Sequence, residues 1–277
     1  MILVEPKLSR LLSKCKHIVL IVALVLFATP IFSQAQQDDL LLIVESELKR
    51  EMAEFSKLKQ PPYYLAYRVH DTHSAYVSSS FGSLVGSDSD RSRILMTDIK
   101  VGDYSFDSSH PISNFEDFDS FDMHRGSAAQ LPMDNKPEAI KLLLWQQTQN
   151  SYRQALNVYK ALKNLPQTEN KPISDFSKET AAVYVAPPLP DLKNVFNSED
   201  WKERIKKFSA PFLKHPDIID AVASLEANTE RKYFISSEGA RIVQNRTFAY
   251  LTIQGSIRAE DGDIIPLHQS YFAIIWE

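Results

Sequence analysis

The first clear pattern in the chain is that of an amphipathic helix between Asp38 and Leu58. Its apolar residues recur at spacings of three and four, which places them on one helix face. These residues are Leu41, Val44, Leu48, Met52 and Phe55. The helix is predicted to stop at Gln60-Pro61-Pro62, because proline disfavours helical backbone at the residue before it.

A longer helix is predicted to open at Pro137, since proline suits the first turn, with Asp134 or Asn135 as its cap. The 3.6-residue period predicts a buried face made of Ile140, Leu144, Tyr152, Leu156, Tyr159 and Leu162. Trp145 and Tyr152 are seven residues apart, so both are expected to pack against the same core surface.

A shorter helix is predicted from Glu199 to Ser209, with Ser198 as its N-cap. Its apolar stripe consists of Trp201, Ile205 and Phe208.

Alternating and β-branched residues predict strands in two regions. Those of the first region are Tyr63 to Val69, Ala75 to Val85 and Ile94 to Val101. Turns are predicted between them at 70–74 and 86–90, where the residue types favour turns, so we expect an antiparallel meander. The second strand region runs from Ile219 to the end.

These elements predict an α+β fold, with antiparallel or mixed sheets of meander strands packed by a few amphipathic helices. Residues 36–165 would hold the first helix, the meander and the long helix. Residues 166–197 are rich in proline and polar residues and are predicted to be an extended linker. Residues 198–277 would hold the short helix and a β-hairpin region, and 103–134 an ordered loop containing phenylalanines.

The two strand regions share a layout that suggests an internal repeat. Tyr76 to Gly82 and Tyr233 to Gly239 are both a strand followed by a Ser-Ser-x-Gly turn and a second strand. The alternative is that any two hairpins look alike.

Residues 1–35 have the features of a signal peptide. Basic residues precede the apolar run from Ile18 to Phe27, and Pro30 ends it. The small residues of Ser33-Gln34-Ala35 predict cleavage between Ala35 and Gln36. A retained anchor is the alternative, although the run is shorter than the roughly 20 residues that span a bilayer. We therefore expect an exported protein, periplasmic or secreted, that meets the membrane only through this segment.

Cleavage would change the net charge from −4 to −7, because the segment carries four basic residues and Glu5. This acidic balance disfavours nucleic acid as a partner. The only cysteine, Cys15, would be removed, so the remaining chain could form no disulfide and offer no thiolate ligand.

Several segments, in their order along the chain, resemble the N-terminal region of exported TldD/PmbA-family proteins, also called modulators of DNA gyrase. They are Pro62-Tyr63-Tyr64-Leu65-Ala66-Tyr67, Phe81-Gly82-Ser83-Leu84-Val85, Val101-Gly102-Asp103-Tyr104, Leu144-Trp145, Ser151-Tyr152-Arg153-Gln154-Ala155 and Ser236-Ser237-Glu238-Gly239. The resemblance implies an N-terminal α/β domain, a homologous second subunit and unfolded peptide as partners.

The resemblance also implies a metallopeptidase whose metal, zinc, binds a His-Glu-x-x-x-His helix in a C-terminal half. No histidine of this sequence is followed by glutamate. We therefore expect no catalytic residue, metal ligand or cofactor in this chain, and no peptidase activity from the chain alone.

The residues from Ser270 to Glu277 are mostly apolar and lead into no polar segment, which favours a chain that lacks its continuation. To explain the missing continuation, we hypothesise a frameshift, an early stop or a gene-model truncation near Ala273.

Other candidate sites have plain structural alternatives. His70 and His73 form a histidine pair, but along a strand they point to opposite faces. An acidic stretch lacks the Asp-x-Asp-x-Asp-Gly calcium loop pattern, so a solvated loop is favoured over a calcium site. This acidic stretch comprises Glu116, Asp117, Asp119, Asp122 and His124.

Ser83 lacks the Gly-x-Ser-x-Gly spacing of a serine hydrolase.

Arg91 and Arg93 follow the turn-like Ser87-Asp88-Ser89-Asp90. Surface exposure is favoured for them over contact with a peptide carboxylate. Asn245-Arg246-Thr247 is a glycosylation sequon, which we interpret as chance.

Three functions remain open at this point. The preferred one is a non-catalytic N-terminal region that shapes a peptide channel or subunit interface, holding peptides partly at strand edges. The alternative is a self-sufficient exported binding or scaffold module. An enzyme with an unrecognised geometry is a third option, which no residue spacing supports.

Overall fold

The computed structural model describes residues 38–111, 128–165 and 173–275. The predicted cleavage site at Ala35 and Gln36 and the acidic stretch of 116–124 lie outside these residues. The helices are α1 (Asp39–Phe55), α2 (Pro137–Asn164), α3 (Leu192–Val195) and α4 (Ser198–Ser209), followed by a 3-10 helix (Ala210–Lys214). The strands are β1 (Pro62–Ser80), β2 (Ser83–Val101), β3 (Ala128–Gln130), β4 (Val183–Val185), β5 (Ile218–Ser236), β6 (Arg241–Arg258) and β7 (Ile264–Ile275).

All seven strands form one sheet in the order β3-β2-β1-β5-β6, with β4 and β7 both pairing with β6. Every pair is antiparallel except β4 with β6. The predicted α+β class is therefore confirmed.

The strands of 36–165 and of 198–277 lie side by side, because β1 pairs directly with β5. The segment between them, predicted as a linker, contributes β4 and α3. Residues 38–275 thus contain one continuous sheet rather than two separate ones.

Helix α1 forms where its periodicity predicts it. Asp38 caps it by accepting a hydrogen bond from the Leu41 N–H at 3.1 Å. Of the predicted face, Leu41, Val44, Leu48 and Phe55 are buried and Met52 is half-buried. Glu47 and Glu51 are also buried, because Arg50 bonds both carboxylates and Gln149 of α2 bonds Glu51.

Helix α2 opens at Pro137 as predicted, but the predicted cap is wrong. Lys136 occupies the N-cap position, and no side chain caps the helix. Asn135 instead accepts a hydrogen bond from Arg93 of β2 at 3.0 Å.

The expectation that Trp145 and Tyr152 share a core surface is wrong for Trp145, which is 43% exposed. Tyr152 is buried because its ring lies 4.7 Å from that of Phe55 and its hydroxyl donates to the Gln60 carbonyl. Contact with α1, rather than periodicity alone, decides which flank of α2 is covered.

Helix α4 starts one residue earlier than predicted and is capped by Asn197 rather than Ser198. Its buried stripe contains Ile205 and Ser209, whereas Phe208 is exposed. Ser209 is buried because its hydroxyl bonds the Ser79 hydroxyl of β1 at 2.9 Å. A polar contact with the sheet therefore displaces the predicted apolar position.

The turns predicted at 70–74 and 86–90 are wrong, since β1 and β2 each run unbroken for 19 residues. Residues 70–74 pair with β2 on one side and β5 on the other, so the two ladders override the local turn preference. The actual turn is Phe81-Gly82, where both residues have positive φ, as a two-residue hairpin requires.

Two hydrophobic clusters lie on the same face of the sheet, because each takes odd-numbered residues of β1. Leu65, Tyr67 and Val69 pack under α1 and α2. Ala75 and Val77 pack under α3 and α4. Asp71 has the same parity and lies between the two clusters.

The internal repeat predicted from the sequence coincides with a symmetry of the sheet. Gly82 and Gly239 are 239 − 82 = 157 residues apart. The β1–β5 ladder begins at Ala66↔Ser236 and ends at Ser79↔Ala223. A shift of 157 residues carries Ala66 onto Ala223 and Ser79 onto Ser236, so the ladder maps onto itself. The two hairpins are thus related by a local twofold axis through its centre.

Candidate functional site

Strand β7 is an edge strand, which among the described residues pairs with β6 alone. It follows a tight turn in which Gly262 has φ +95°. The Ala259 N–H donates to the Asp263 carbonyl at 2.8 Å, which fixes the hydrogen-bonding phase of the hairpin. Odd-numbered residues of β7 therefore bond to β6, and even-numbered residues direct their N–H and C=O groups outward.

The position of Pro266 is consistent with this pattern. Proline has no N–H, and even-numbered residues of β7 donate no hydrogen bond to β6. The outward N–H groups of β7 belong to Ile264, His268, Ser270, Phe272 and Ile274. From His268 onward, every second residue offers a donor and an acceptor to an added strand.

Every side chain from Ile264 to Ile274 is exposed, on both faces of the sheet. On the even-numbered face, the Phe272 ring lies 4.9 Å from Tyr250 and 6.0 Å from Phe248. On the odd-numbered face, Leu267 is 79% and Tyr271 56% exposed. Apolar surface of this extent flanking an edge is typical of an interaction site.

The outer edge of β2 differs from β7, although β3 covers only its residues 94–96. Asp88, Asp90 and Arg91 place charges along it, and the Asp88 carboxylate accepts the Ser89 N–H at 2.8 Å. Such charges block pairing with another chain. Strand β7 contains no Asp, Glu, Lys or Arg, so it lacks this protection.

Arg91 and Arg93 both bond the Asp71 carboxylate of the neighbouring strand. Arg93 donates to Asp71 at 2.6 Å and to the Pro132 carbonyl at 2.8 Å. The predicted surface exposure is wrong for Arg93, whose side chain is 3% exposed, and holds for Arg91 at 49%. The buried charge is compensated by Asp71, so this is a structural ion pair rather than a free binding site.

A third arginine, Arg231, extends this group of charged side chains toward β6, and we call Asp71, Arg91, Arg93 and Arg231 the polar layer. Arg231, directly opposite Asp71 in the ladder, donates to Asp38 at 2.8 Å and to Asn245 at 2.7 Å. Burial raises the pKa of the adjacent Tyr233, and the Asp38 carboxylate adds to the shift. The layer ties the N-terminus of α1 to the sheet, and it places Asn245 of the sequon in an intramolecular contact.

The histidine pair does not converge. His70 lies 3.7 Å from Glu230 of β5, whereas His73 bonds Ser89 of β2 at 3.1 Å. His73 lines a cleft of about 410 Å³ between the β1–β2 hairpin and α3, together with Lys193 and Phe196. Ser83 is the first residue of β2, directly after the hairpin turn, with no helix following it.

A buried carboxylate cluster organises the loop after β2, and the sequence pattern did not reveal it. Asp107 is fully buried and accepts hydrogen bonds from the Tyr63 hydroxyl at 2.5 Å and the Ser109 N–H at 2.6 Å. Asp175 bonds the Asp107 N–H and the His110 ring, both at 2.9 Å. Burial and the bond to Asp107 raise the pKa of Tyr63, so its hydroxyl remains a donor.

The described residues do not fit the zinc site that the family resemblance implies. Nowhere in 38–111, 128–165 and 173–275 do three His, Cys, Asp or Glu side chains converge as a metal site. The sequence as given also lacks His-Glu-x-x-x-His.

In the part of the chain that the structure describes, no helix is both long enough and apolar enough to cross a membrane.

No protein-family model matches the chain, and no curated protein matches it. Solved structures with a similar fold are TldE from Thermococcus kodakarensis, at 14% identity and a TM-score of 0.47, and two described as putative modulators of DNA gyrase. These come from Thermotoga maritima (12%, 0.44) and Bacteroides thetaiotaomicron (14%, 0.45). Each alignment covers 83% of this chain but only 42%, 43% and 46% of the respective structure. The chain thus spans less than half the length of these structures, which carry the names of the family that its sequence resembles.

Proposed function

We infer that the chain is the non-catalytic N-terminal region of a TldD/PmbA-like metallopeptidase, and that it pairs with extended polypeptide to shape a subunit interface or peptide channel. The observation that carries this inference is the β7 edge, with its outward hydrogen-bonding groups and exposed side chains. Main-chain pairing at such an edge binds extended polypeptide with little sequence preference.

The absence of His-Glu-x-x-x-His from the sequence supports a role without catalysis of its own. The two hydrophobic clusters support a structural role, because they cover one face of the sheet as far as Ala249, Leu251 and Ile253 of β6, while the side chains of β7 stay exposed. The exposed side chains of β7 favour pairing with another polypeptide over a self-sufficient scaffold.

Substitutions at Ser270 test this function, because its N–H points outward. Replacement by proline removes that donor, whereas replacement by valine keeps it, and both remove the hydroxyl contact with Thr252. One backbone hydrogen bond contributes roughly 1 kcal/mol, so Ser270→Pro should weaken binding about fivefold. Fluorescence anisotropy with fluorescein-labelled casein, an unfolded polypeptide, measures this.

The valine variant should bind casein as tightly as the unmodified chain, and casein should stay intact on a gel with or without a chelator. Equal binding by the proline and valine variants would contradict the role of the edge. Cleavage of casein that a chelator abolishes would contradict the non-catalytic role.

We extend the proposal to export, since residues 1–35 carry the features of a signal peptide. Expression of the full chain in a bacterium should yield a periplasmic or secreted protein whose N-terminal sequence begins at Gln36. Ala35→Leu should block removal of the signal peptide, because signal peptidase requires a small residue at this position. A cytoplasmic product that begins at Met1 would refute export.

A further inference from the structure

We propose that the cleft between the β1–β2 hairpin and α3 binds a small zwitterion with an apolar side chain, which is the chemistry of a hydrophobic amino acid or dipeptide. This site goes beyond the proposed function, because β2 and β7 lie toward opposite ends of the sheet. The proposal rests on the walls of the cleft, which combine an apolar floor, a hydrogen-bond acceptor and two charges of opposite sign.

The cleft has the size and the apolar floor of a small-molecule site. Its volume is about 410 Å³, at the lower end of the range of roughly 300–1,000 Å³ that is typical of ligand pockets. Ala75 of β1, Leu192 and Phe196 form its apolar lining, and all three are buried. Phe196 is held in place because its ring stacks with that of Trp201, with the centroids 6.2 Å apart. An apolar side chain of the ligand would therefore meet a preformed surface.

Hydrogen bonding at the sheet wall determines which nitrogen of His73 carries the proton. The Ser89 hydroxyl has one proton, which it donates to the Ser74 carbonyl at 3.0 Å. His73 Nε2 lies 3.1 Å from the same hydroxyl oxygen, so Nε2 must be the donor of the bond between them. In the neutral ring, Nδ1 is then an acceptor. Since His73 lines the cleft, this wall offers an acceptor that suits an ammonium group.

Two charges of opposite sign line the cleft from different elements. Asp88 of β2 supplies a carboxylate, which also accepts the Ser89 N–H at 2.8 Å, and Lys193 of α3 supplies an ammonium group. Within the described ranges, neither side chain forms a salt bridge, and the two do not reach each other. A zwitterion between them would pair its ammonium group with Asp88 and its carboxylate with Lys193.

Calorimetric titration of the full chain with leucine and with leucyl-leucine tests the proposal. At least one of the two should bind saturably, and the comparison shows whether the cleft takes an amino acid or a dipeptide. Acetylation of the amine and amidation of the carboxylate should each weaken binding about fivefold, which is the upper range for an exposed ion pair. Saturable binding of neither ligand would overturn the proposal.

Matched variants assign each end of the ligand. Asp88→Asn should weaken binding of the free ligand about fivefold but leave binding of the acetylated ligand unchanged, because the missing contact is the one to the ammonium group. Lys193→Gln should show the same behaviour with the amidated ligand. Asp90→Asn is the control, since Asp90 is also exposed on β2 but does not line the cleft.

Misfolding does not confound these variants, because both side chains are exposed and their thermal unfolding midpoints should match that of the unmodified chain. Equal losses for free and acetylated ligand in Asp88→Asn, or an equally large loss in Asp90→Asn, would overturn the proposal. Casein binding should be the same in all three variants, because Ser270 lies on β7. Loss of casein binding in Asp88→Asn would place the polypeptide, rather than a small zwitterion, in the cleft.

Discussion

Replacing Arg93 by methionine should lower the free energy of unfolding by about 3 kcal/mol. The guanidinium is buried between β2 and the segment before α2, where it bonds Asp71, the Pro132 carbonyl and Asn135. Methionine keeps much of the volume but leaves the Asp71 carboxylate, itself 10% exposed, with a weaker partner. Urea denaturation followed by circular dichroism measures the loss.

Arg91→Met is the matched control, because Arg91 bonds the same carboxylate from a half-exposed position. Exposed ion pairs contribute about 0.2–1 kcal/mol, so this variant should be nearly as stable as the unmodified chain. Adding Asp71→Asn to Arg93→Met should recover part of the loss, since it removes a largely buried carboxylate that only the half-exposed Arg91 would still pair. Equal losses for the two methionine variants would show that burial of Arg93 does not matter.

Helices α1, α2 and α4 and the α+β class could be predicted from the sequence because local periodicity and proline positions determine them, whereas α3 lies in the segment predicted to be a linker. Helix α1 shows this: its spacing of apolar residues predicted the face that α2 and the sheet cover. The continuous strands could not be predicted, because residues 70–74 are turn-like by composition and extended only through pairing on both sides. Non-local ladders outweigh local preference there.

The polar layer was missed for the same reason. Asp71, Arg91 and Arg93 are separated by the turn at Phe81-Gly82, and only the register of the β1–β2 ladder brings them together. Counting back along both strands from the Ser80↔Ser83 pair at this turn would place Asp71 opposite Ser92, and only the register shift between Ser78 and Ser79 moves Asp71 opposite Arg93. Nothing in the sequence marks Asp175 as the partner of His110, since the two residues come together only when the loop after β2 packs against a distant segment.

The edge itself was partly foreseen, because the uncharged apolar run at the end of the chain is visible in the sequence. Its hydrogen-bonding direction was not, since it depends on the turn between Ala259 and Asp263. The sequence thus indicated an exposed apolar strand, and the structure added which of its backbone groups point away from β6.

Gly102→Ala should lower the free energy of unfolding by about 4 kcal/mol, combining backbone strain of roughly 1–3 kcal/mol with overpacking of roughly 1–3 kcal/mol. Gly102 has φ +122°, and a Cβ there would meet the Phe106 carbonyl oxygen at 2.4 Å and the Tyr159 ring at 2.7 Å. The loop that carries Asp107 would have to move away from α2. Thermal unfolding followed by circular dichroism measures the loss.

Gly262→Ala separates the two causes, because Gly262 also has positive φ, +95°, but a Cβ there meets nothing within 4 Å. This variant carries the backbone strain without the clash, so it should lose only about 1 kcal/mol. If both alanine variants lost the same amount, the close approach of Gly102 to the loop and to α2 would contribute nothing. A larger loss at Gly102 instead shows that this loop is held against α2 by a contact that only glycine permits.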